Sequence, residues 1–425
     1  MSEEFDPVER DADLAWELYD AQPTHPEIAR LATRVLAQRP WRSGLRILLA
    51  QHRRKCGAVD EARQILHDVI GRRDRFFTDA ARELRDLEQS ECRFDKALEW
   101  AETVLREDQE YWRDRLELGL ATAMSGEPAD GWRLMDDAVE MCARTSADEL
   151  RFALAGRTIH LMQSFAPPER FIAAAEETMR VDPSNEYVGG PLVWAYVHEG
   201  RFEDAEELAL RLLRLDPTDG VASGALRMIR ELREIAVKRD VALADVHEVG
   251  VIALAWEQMR DRMLGTDLRS ALAALDEVMP AELREVLRPP LGEEEAEKSP
   301  GNAEIAAWHD GQLPGTGAAW GADGAFRLMS AAEVDAMDDA IEADPETYRR
   351  WQQSVVADYY SQIFTDDAGG YLIAVLDGLV IRRFDAEDER LPGGLNDWFW
   401  DRVAAFGGRD PRPVVRREAV PSTGG

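Results

Sequence analysis

The feature that most constrains this chain is a unit that returns about every 34 residues. MRVDPSNEYVGG at 179–190 aligns without a gap to LRLDPTDGVASG at 213–224, which places Pro183 and Pro217 one such period apart. Between them lies PLVWAYVHEGRFEDAEELALRLLRLDP, which reads as two helices joined by a tight turn. Gly200 supplies the backbone freedom of the turn, Ala205 lets the helices approach closely, and the proline that follows stops the second helix. Further upstream the pattern returns in CGAVDEARQILHDVI (56–70), ECRFDKALEWAETVL (91–105) and SGEPADGWRLMDDAV (125–139). Gly57, Cys92 and Gly126 hold the turn position at the same spacing to within one place, and Ala62 and Ala97 hold the small position. A period of this length marks stacked supersecondary units, none of which can bury its apolar face alone. Helix pairs are therefore expected over about 10–217, with Pro40 closing a degenerate first unit and an insertion of several residues around SFAPPERF (164–171).

The unit resembles a tetratricopeptide repeat (TPR) over its whole length, with Trp194 and Tyr196 on the first helix and Gly200, Ala205 and the flanking prolines as anchors. That resemblance implies binding rather than catalysis: an α-solenoid whose concave face holds a peptide or a partner helix. Leu, Ala, Val and Trp at helical spacing read as the core between repeats, not as a cofactor box. Cys56, Cys92 and Cys142 form no CxxC or CxxH pair and read as small buried hydrophobes on repeat helices or turns. Residues 1–220 are thus expected to be the TPR-like solenoid. Residues 221–290 continue as helices without the anchors, a cap and connector.

LRPPLGEEEAEKSPGN (287–302) changes texture, and 291–302 reads as an acidic Pro/Gly linker. Beyond it AEIAAWHDGQ (303–312) reads as a short helix ended by Asp310-Gly311. FRLMSAAEVDAMDDAIEAD (326–344) reads as a short strand and then a helix capped by Ser330, with Glu333 placed for a capping box. YLIAVL-DG-LVIRRF (371–384) has the pattern of a β-hairpin, and LNDWFWDRVAAF (395–406) that of a closing amphipathic helix. The fold class expected is mainly α: the solenoid, then a small α+β domain over 303–406 and a disordered tail over 407–425.

Several short motifs of this second domain resemble the SUKH superfamily of fungal cell-wall assembly regulators and bacterial immunity proteins. They are Trp308, His309, Asp310, Gly311 and Gln312; Phe326 to Val334; Trp351; Ile363 to Gly378, with Gly369, Gly370 and Tyr371; and Leu395 to Val403. The family usually carries a clear helix and an LP-containing turn ahead of the first motif, where this chain has acidic linker. Whether part of 268–290 belongs to the domain is therefore open. The resemblance implies a non-catalytic protein that binds proteins, either an immunity-type protein masking a toxin domain or a regulatory scaffold.

Charge narrows the partners. The chain has 425 residues, with 83 acidic against 51 basic and a formal net charge of −32, which repels nucleic acid and anionic lipid. The first residues, MSEEFDPVERD, hold no apolar signal core, and no run approaches the ~20 apolar residues of a membrane span, so a cytoplasmic protein is expected. Part of the excess sits behind Ser330, where Glu333, Asp335, Asp338, Asp339 and Glu342 follow one another without a basic residue. With Asp366 and Asp367 they are candidates for binding a basic protein partner, against the plainer reading of a solvated face. No cofactor or metal is expected: the seven histidines fall in no metal-ligand spacing, and GxSxG, Walker and GxGxxG motifs are absent. The alternative from a different class is an enzyme with a site in the inter-domain cleft, using His309 and Asp310 or Asp366 and Asp367. The plainer reading makes the first pair a helix terminus and the second a turn before a strand.

Overall fold

The computed structural model describes residues 6–108, 111–239, 242–243, 253–296, 303–313, 320, 326–344, 360–367, 370–375, 378–383, 389–391 and 393–414. It divides into two units, Met1–Phe165 and Ala166–Gly425.

The first unit is a succession of helices: α1 (Pro7–Ala21), α2 (Glu27–Gln38), α3 (Ser43–Lys55), α4 (Val59–Arg72), α5 (Phe77–Ser90), α6 (Phe94–Glu107), α7 (Trp112–Met124), α8 (Pro128–Thr145) and α9 (Leu150–Gln163). Consecutive helices pack as α1–α2, α3–α4, α5–α6 and α7–α8. Each helix turns one stripe inward: α2 buries Ile28, Leu31, Ala32, Val35 and Leu36, the i, i+3, i+4 spacing of an amphipathic helix. Ala62 and Ala97 are fully buried where the second helix of a pair meets the first. In the fourth pair the same place is held by Gly131.

The turns within pairs share one device. Gly57 (φ 80°), Cys92 (φ 56°) and Gly126 (φ 120°) adopt the left-handed conformation. The next residue's N–H then reaches back five residues, Ala58 to the Arg53 carbonyl, Arg93 to Glu88 and Glu127 to Thr122. That is the Schellman closure, which satisfies helix carbonyls left without a partner at the helix end. Phe165 (φ 56°) holds the next left-handed position, further past Gly126 than one period reaches. The extra length does not lie at 164–171 as expected. It lies upstream, where α8 runs for 18 residues and a 3-10 turn, Ala147–Glu149, follows; the next helix starts promptly on Pro168.

The three cysteines differ. Cys142 is buried as expected, but Cys56 is exposed and Cys92 half-buried, because both belong to inter-helix turns rather than to packed stripes. A side chain costs energy at positive φ, and glycine does not carry that cost. Cys92→Gly should therefore raise the stability of the first unit by about 0.5–1 kcal/mol, read as a higher denaturant midpoint; an unchanged or lower midpoint would refute the strain.

The second unit opens with α10 (Pro168–Val181), α11 (Glu186–His198), α12 (Phe202–Leu215) and α13 (Gly220–Arg239). Pro183 and Pro217 fall between helices, and Gly200 (φ 69°) makes the same closure, with the Arg201 N–H donating to the Tyr196 carbonyl. Ala205 is fully buried. Trp194 faces Gly224 of α13, and the Tyr196 hydroxyl donates to Glu176 at 3.0 Å. Then α14 (Ala253–Leu264) packs on α11, and α15 (Leu268–Val278) and α16 (Ala281–Arg284) follow.

The sheet is an antiparallel meander of β1 (Arg327–Leu328), β2 (Tyr360–Thr365), β3 (Gly370–Val375), β4 (Gly378–Arg383) and β5 (Glu389–Leu391), three six-residue strands between two short edges. The expected hairpin is present, but Gly378 of its Asp-Gly dipeptide opens β4 opposite Val375 instead of sitting in the turn; Leu376 and Asp377 lie outside the described residues. Neither β2 nor β5 was expected. In the same region α17 (Glu293–Ala296) and α18 (Ala303–Trp308) precede the sheet. Ser330 caps α19 (Ala331–Ala343) in the expected capping box with Glu333, and α20 (Leu395–Ala405) is the last helix. Leu372 faces one core and Ile373 the other, as a period of two requires.

Three expected boundaries change. Ala271, Leu272, Leu275, Met279 and Leu283 share one apolar cluster with Trp320, Phe364, Leu372, Phe399 and Trp400. Residues 268–287, read as connector, thus belong to the core of the α+β domain. The linker is held too: Leu287 bridges Gln312, and the Arg288 and Leu291 N–H groups donate to Gly311 and Ala306. Within it α17 packs on α18, and 297–302 lie outside the described residues. Residues 407–414 are no disordered tail, since Asp410 and Arg412 are buried against α20; 415–425 lie outside the described residues.

Candidate functional site

The motif at 308–312 works as a brace. The His309 Nδ1 lies 2.8 Å from the Arg288 carbonyl, and its Nε2 lies 3.8 Å from Asp276. Asp310 accepts the Ala331 N–H at 2.9 Å, tying the motif to the start of α19. Gly311 (φ 82°) passes so close to the end of β1 that a Cβ there would sit 2.4 Å from the Ser330 nitrogen. The buried Gln312 accepts the Trp320 indole N–H at 2.9 Å, and Trp308 stacks edge-on against Trp320 and Phe399. His309, Asp310 and Gln312 thus each meet a structural partner. Trp351 and Gly369 lie outside the described residues.

The acidic candidates divide in the same way. Glu333 and Asp367 both pair with Arg327, at 2.9 and 2.8 Å. Burial would raise the Glu333 carboxyl, but the Arg327 guanidinium and the Ser330 N–H outweigh it and hold the group below its ordinary range. Asp366 accepts the Gly370 N–H at 2.6 Å and closes the turn into β3. Tyr371 packs with Ile341 and Ile373, and burial raises its hydroxyl pKa, with Asp366 and Asp367 adding to the rise. Asp335 and Asp339 stay exposed on α19, with Asp338 half-buried between them; the Glu342 side chain lies outside the described residues. The outward acidic surface is therefore smaller than the run of letters implies.

A row of polar groups that sequence reasoning missed runs along α3, α5 and α7, the first helices of three pairs, and on to α9. Gln51 of α3 donates to Glu83 of α5 at 2.5 Å, and Arg54 stands 3.8 Å from the same carboxylate. Arg85 holds Asp86 at 2.8 Å and reaches buried Asp114 of α7 at 3.2 Å. Glu117 of α7 meets the His160 Nε2 of α9 at 3.2 Å, and the His160 Nδ1 meets Gln163 at 3.0 Å. Burial raises the carboxyls of Glu83 and Asp86 above their ordinary range despite their cationic neighbours. Burial would raise Glu117 too, yet the His160 charge and hydrogen bond, with Arg85, bring it down to about 2.

That depression sets the sign of a pH dependence. A carboxyl lowered on folding stabilises the fold above its unfolded value of about 4.3 and loses that contribution as pH falls towards about 2. The stability gap between the wild type and Glu117→Gln should close as pH falls from ~5 to ~2. Denaturant titrations at several pH values check it, and a gap that widens in acid would contradict the pairing.

No family model matches the chain, and no curated protein matches it. Solved structures of helical-repeat proteins are similar to it. A chain of the APC/C hetero-tetramer Cut9-Hcn1 shares 14% identity over 52% of this chain with a TM-score of 0.39, and the match spans 46% of that chain, under half its length. A tetratricopeptide repeat protein from Parabacteroides merdae ATCC 43184 shares 12% over 57% of this chain and 98% of its own, at a TM-score of 0.38. A thermophilic TPR protein of Thermus thermophilus shares 15% over 52% of this chain and 98% of its own, at 0.29. The fold itself is mainly α, with TPR-like helix pairs over the N-terminal part and a small sheet-containing region behind them. Among the described residues no helix is long and apolar enough to cross a membrane.

Proposed function

We propose that this chain is a non-catalytic interaction protein that captures a basic protein partner, with an immunity-type, SUKH-like domain at its C-terminal end. The observation that carries the reading is the polar row on α3, α5, α7 and α9. Repeated units that place chemically active side chains on the same helix of each pair build a recognition surface, since the apolar stripes are used up between helices. Glu83 adds a physical reason for a basic partner: it is a largely buried carboxylate whose pKa burial raises despite Arg54 and Gln51, and an incoming guanidinium or ammonium would relieve it, with the part-exposed Asp86 beside it. Exposed Asp335 and Asp339 on α19 form the second acidic surface. The roles found for His309, Asp310, Asp366 and Asp367 support a structural reading of the residues an enzyme would need.

Co-purification from the native cell, followed by binding measurements with the recovered partner, tests the proposal. The expected partner is basic and its complex weakens steeply with salt. Replacing Glu83 and Asp86 by their amides, or Asp335 and Asp339 by theirs, should weaken binding at least tenfold in one of the two sets, which then places recognition. An acidic partner indifferent to both sets would overturn the reading.

A further inference from the structure

We propose that a cavity of about 350 Å³ between α6 and α7 binds a small monocarboxylate with a branched apolar tail. Glu102, Leu105 and Arg106 line it from α6, Arg115 and Leu118 from α7. Leu105 and Leu118 belong to a cluster otherwise rich in alanine, Ala97, Ala101 and Ala121. Those small residues fit the close helix approach of the repeat and leave space beside the leucines unfilled.

The polar lining has a net charge of +1, two arginines against Glu102, in a chain of −32. Among the described residues the Arg115 Nε has no hydrogen-bond partner and is closed to solvent, which leaves the outer end of the guanidinium to meet the cavity. Asp137 approaches the other end of that guanidinium at 3.7 Å, an ion pair too long for a hydrogen bond. Arg106 spends its donors on neutral acceptors, the Glu102 carbonyl at 3.3 Å and the Thr103 hydroxyl at 2.8 Å. A carboxylate would give the guanidinium groups of Arg106 and Arg115 a counter-charge, and charge-assisted bonds of this kind are the strong ones. A single surplus positive charge suits a monoanion better than a phosphate dianion. The volume lies at the small end of ligand pockets and asks for a short tail against the two leucines.

The chemistry could be supplied by a free branched-chain acid or by the C-terminus of a peptide ending in leucine. Isocaproate and the tripeptide Gly-Gly-Leu are therefore titrated against the full chain by calorimetry or ligand-observed NMR, with isohexanol as the uncharged analogue. At least one carboxylate should bind saturably in the millimolar range or tighter, and the tighter of the two identifies the source. Isohexanol should bind at least tenfold more weakly, Arg115→Gln should cost at least tenfold, and Leu105→Trp should block the cavity with far-UV circular dichroism unchanged. If Arg115→Gln fails to fold, Arg106→Gln carries the same expectation. Absence of binding by both carboxylates, equal binding of the alcohol, or binding indifferent to all three substitutions would overturn the site.

Discussion

Gly131→Ala is expected to lower the stability of the first unit by about 3 kcal/mol, although alanine is the better helix former. A Cβ on Gly131 would stand 2.5 Å from the Gly119 carbonyl oxygen and 2.6 Å from the Ala123 Cβ and nitrogen. A Cβ on Gly119 would meet the Gly131 carbonyl at 2.7 Å in return. The two glycines let α7 and α8 approach backbone to backbone. The atoms struck are main chain and the short Ala123, so no flexible side chain can swing aside, and the helices must part. Two units need not melt together, so hydrogen exchange in α7 and α8 is the direct readout, with faster exchange expected there. Gly71→Ala is the internal control: it lies in α4 with nothing within 4 Å of its Cβ, and it should gain about 0.5–1 kcal/mol. A neutral or stabilising Gly131→Ala would show that the pair is not held by this approach.

That position also marks what was legible. The turn residues Gly57, Cys92, Gly126 and Gly200 could be read because a Schellman closure is chemistry among neighbours in the chain. The capping box of Ser330 and Glu333 and the hairpin at 371–384 were readable for the same reason. The polar row was not: Gln51 and Glu83 are 32 residues apart and Glu117 and His160 are 43 apart, and the residue types change from helix to helix. A scan for polar positions repeating with the apolar period would have raised Gln51, Glu83 and Glu117. The placement of α15 was hidden for another reason, because an amphipathic stripe such as Ala271, Leu272 and Leu275 looks the same whichever partner it meets. β2 was missed because YSQIFT opens on polar residues and its apolar pair, Ile363 and Phe364, falls at a register shift. The acidic run on α19 was over-read, since Glu333 turns back to Arg327 and to the Ser330 N–H at the start of its own helix.

Arg412→Met is expected to cost the second unit about 3–5 kcal/mol, from a residue that sequence reasoning placed in a disordered tail. Its guanidinium is fully buried and serves three carboxylates: Asp410 at 2.8 and 2.9 Å, Asp397 at 3.0 Å and Asp401 at 2.6 Å. It also donates to the Asp397 backbone carbonyl at 2.9 Å. Asp397 accepts the Gly394 N–H at the start of α20, so the cluster fixes the helix on which Phe399 and Trp400 reach the core. Without the arginine, Asp397 and Asp410 stay buried beside Asp401 with like charge and without the guanidinium that joins all three. Burial already raises the Asp401 carboxyl even with Arg412 in place. The variant's deficit should therefore shrink as pH falls through the carboxylate range, where the orphaned acids take up protons. Truncation before Asp410 removes Arg412 and should destabilise in the same way. Denaturant midpoints of the second unit at pH 7 and pH 4 separate the cases. An Arg412→Met chain as stable as the wild type at pH 7 would return this segment to the status of a tail.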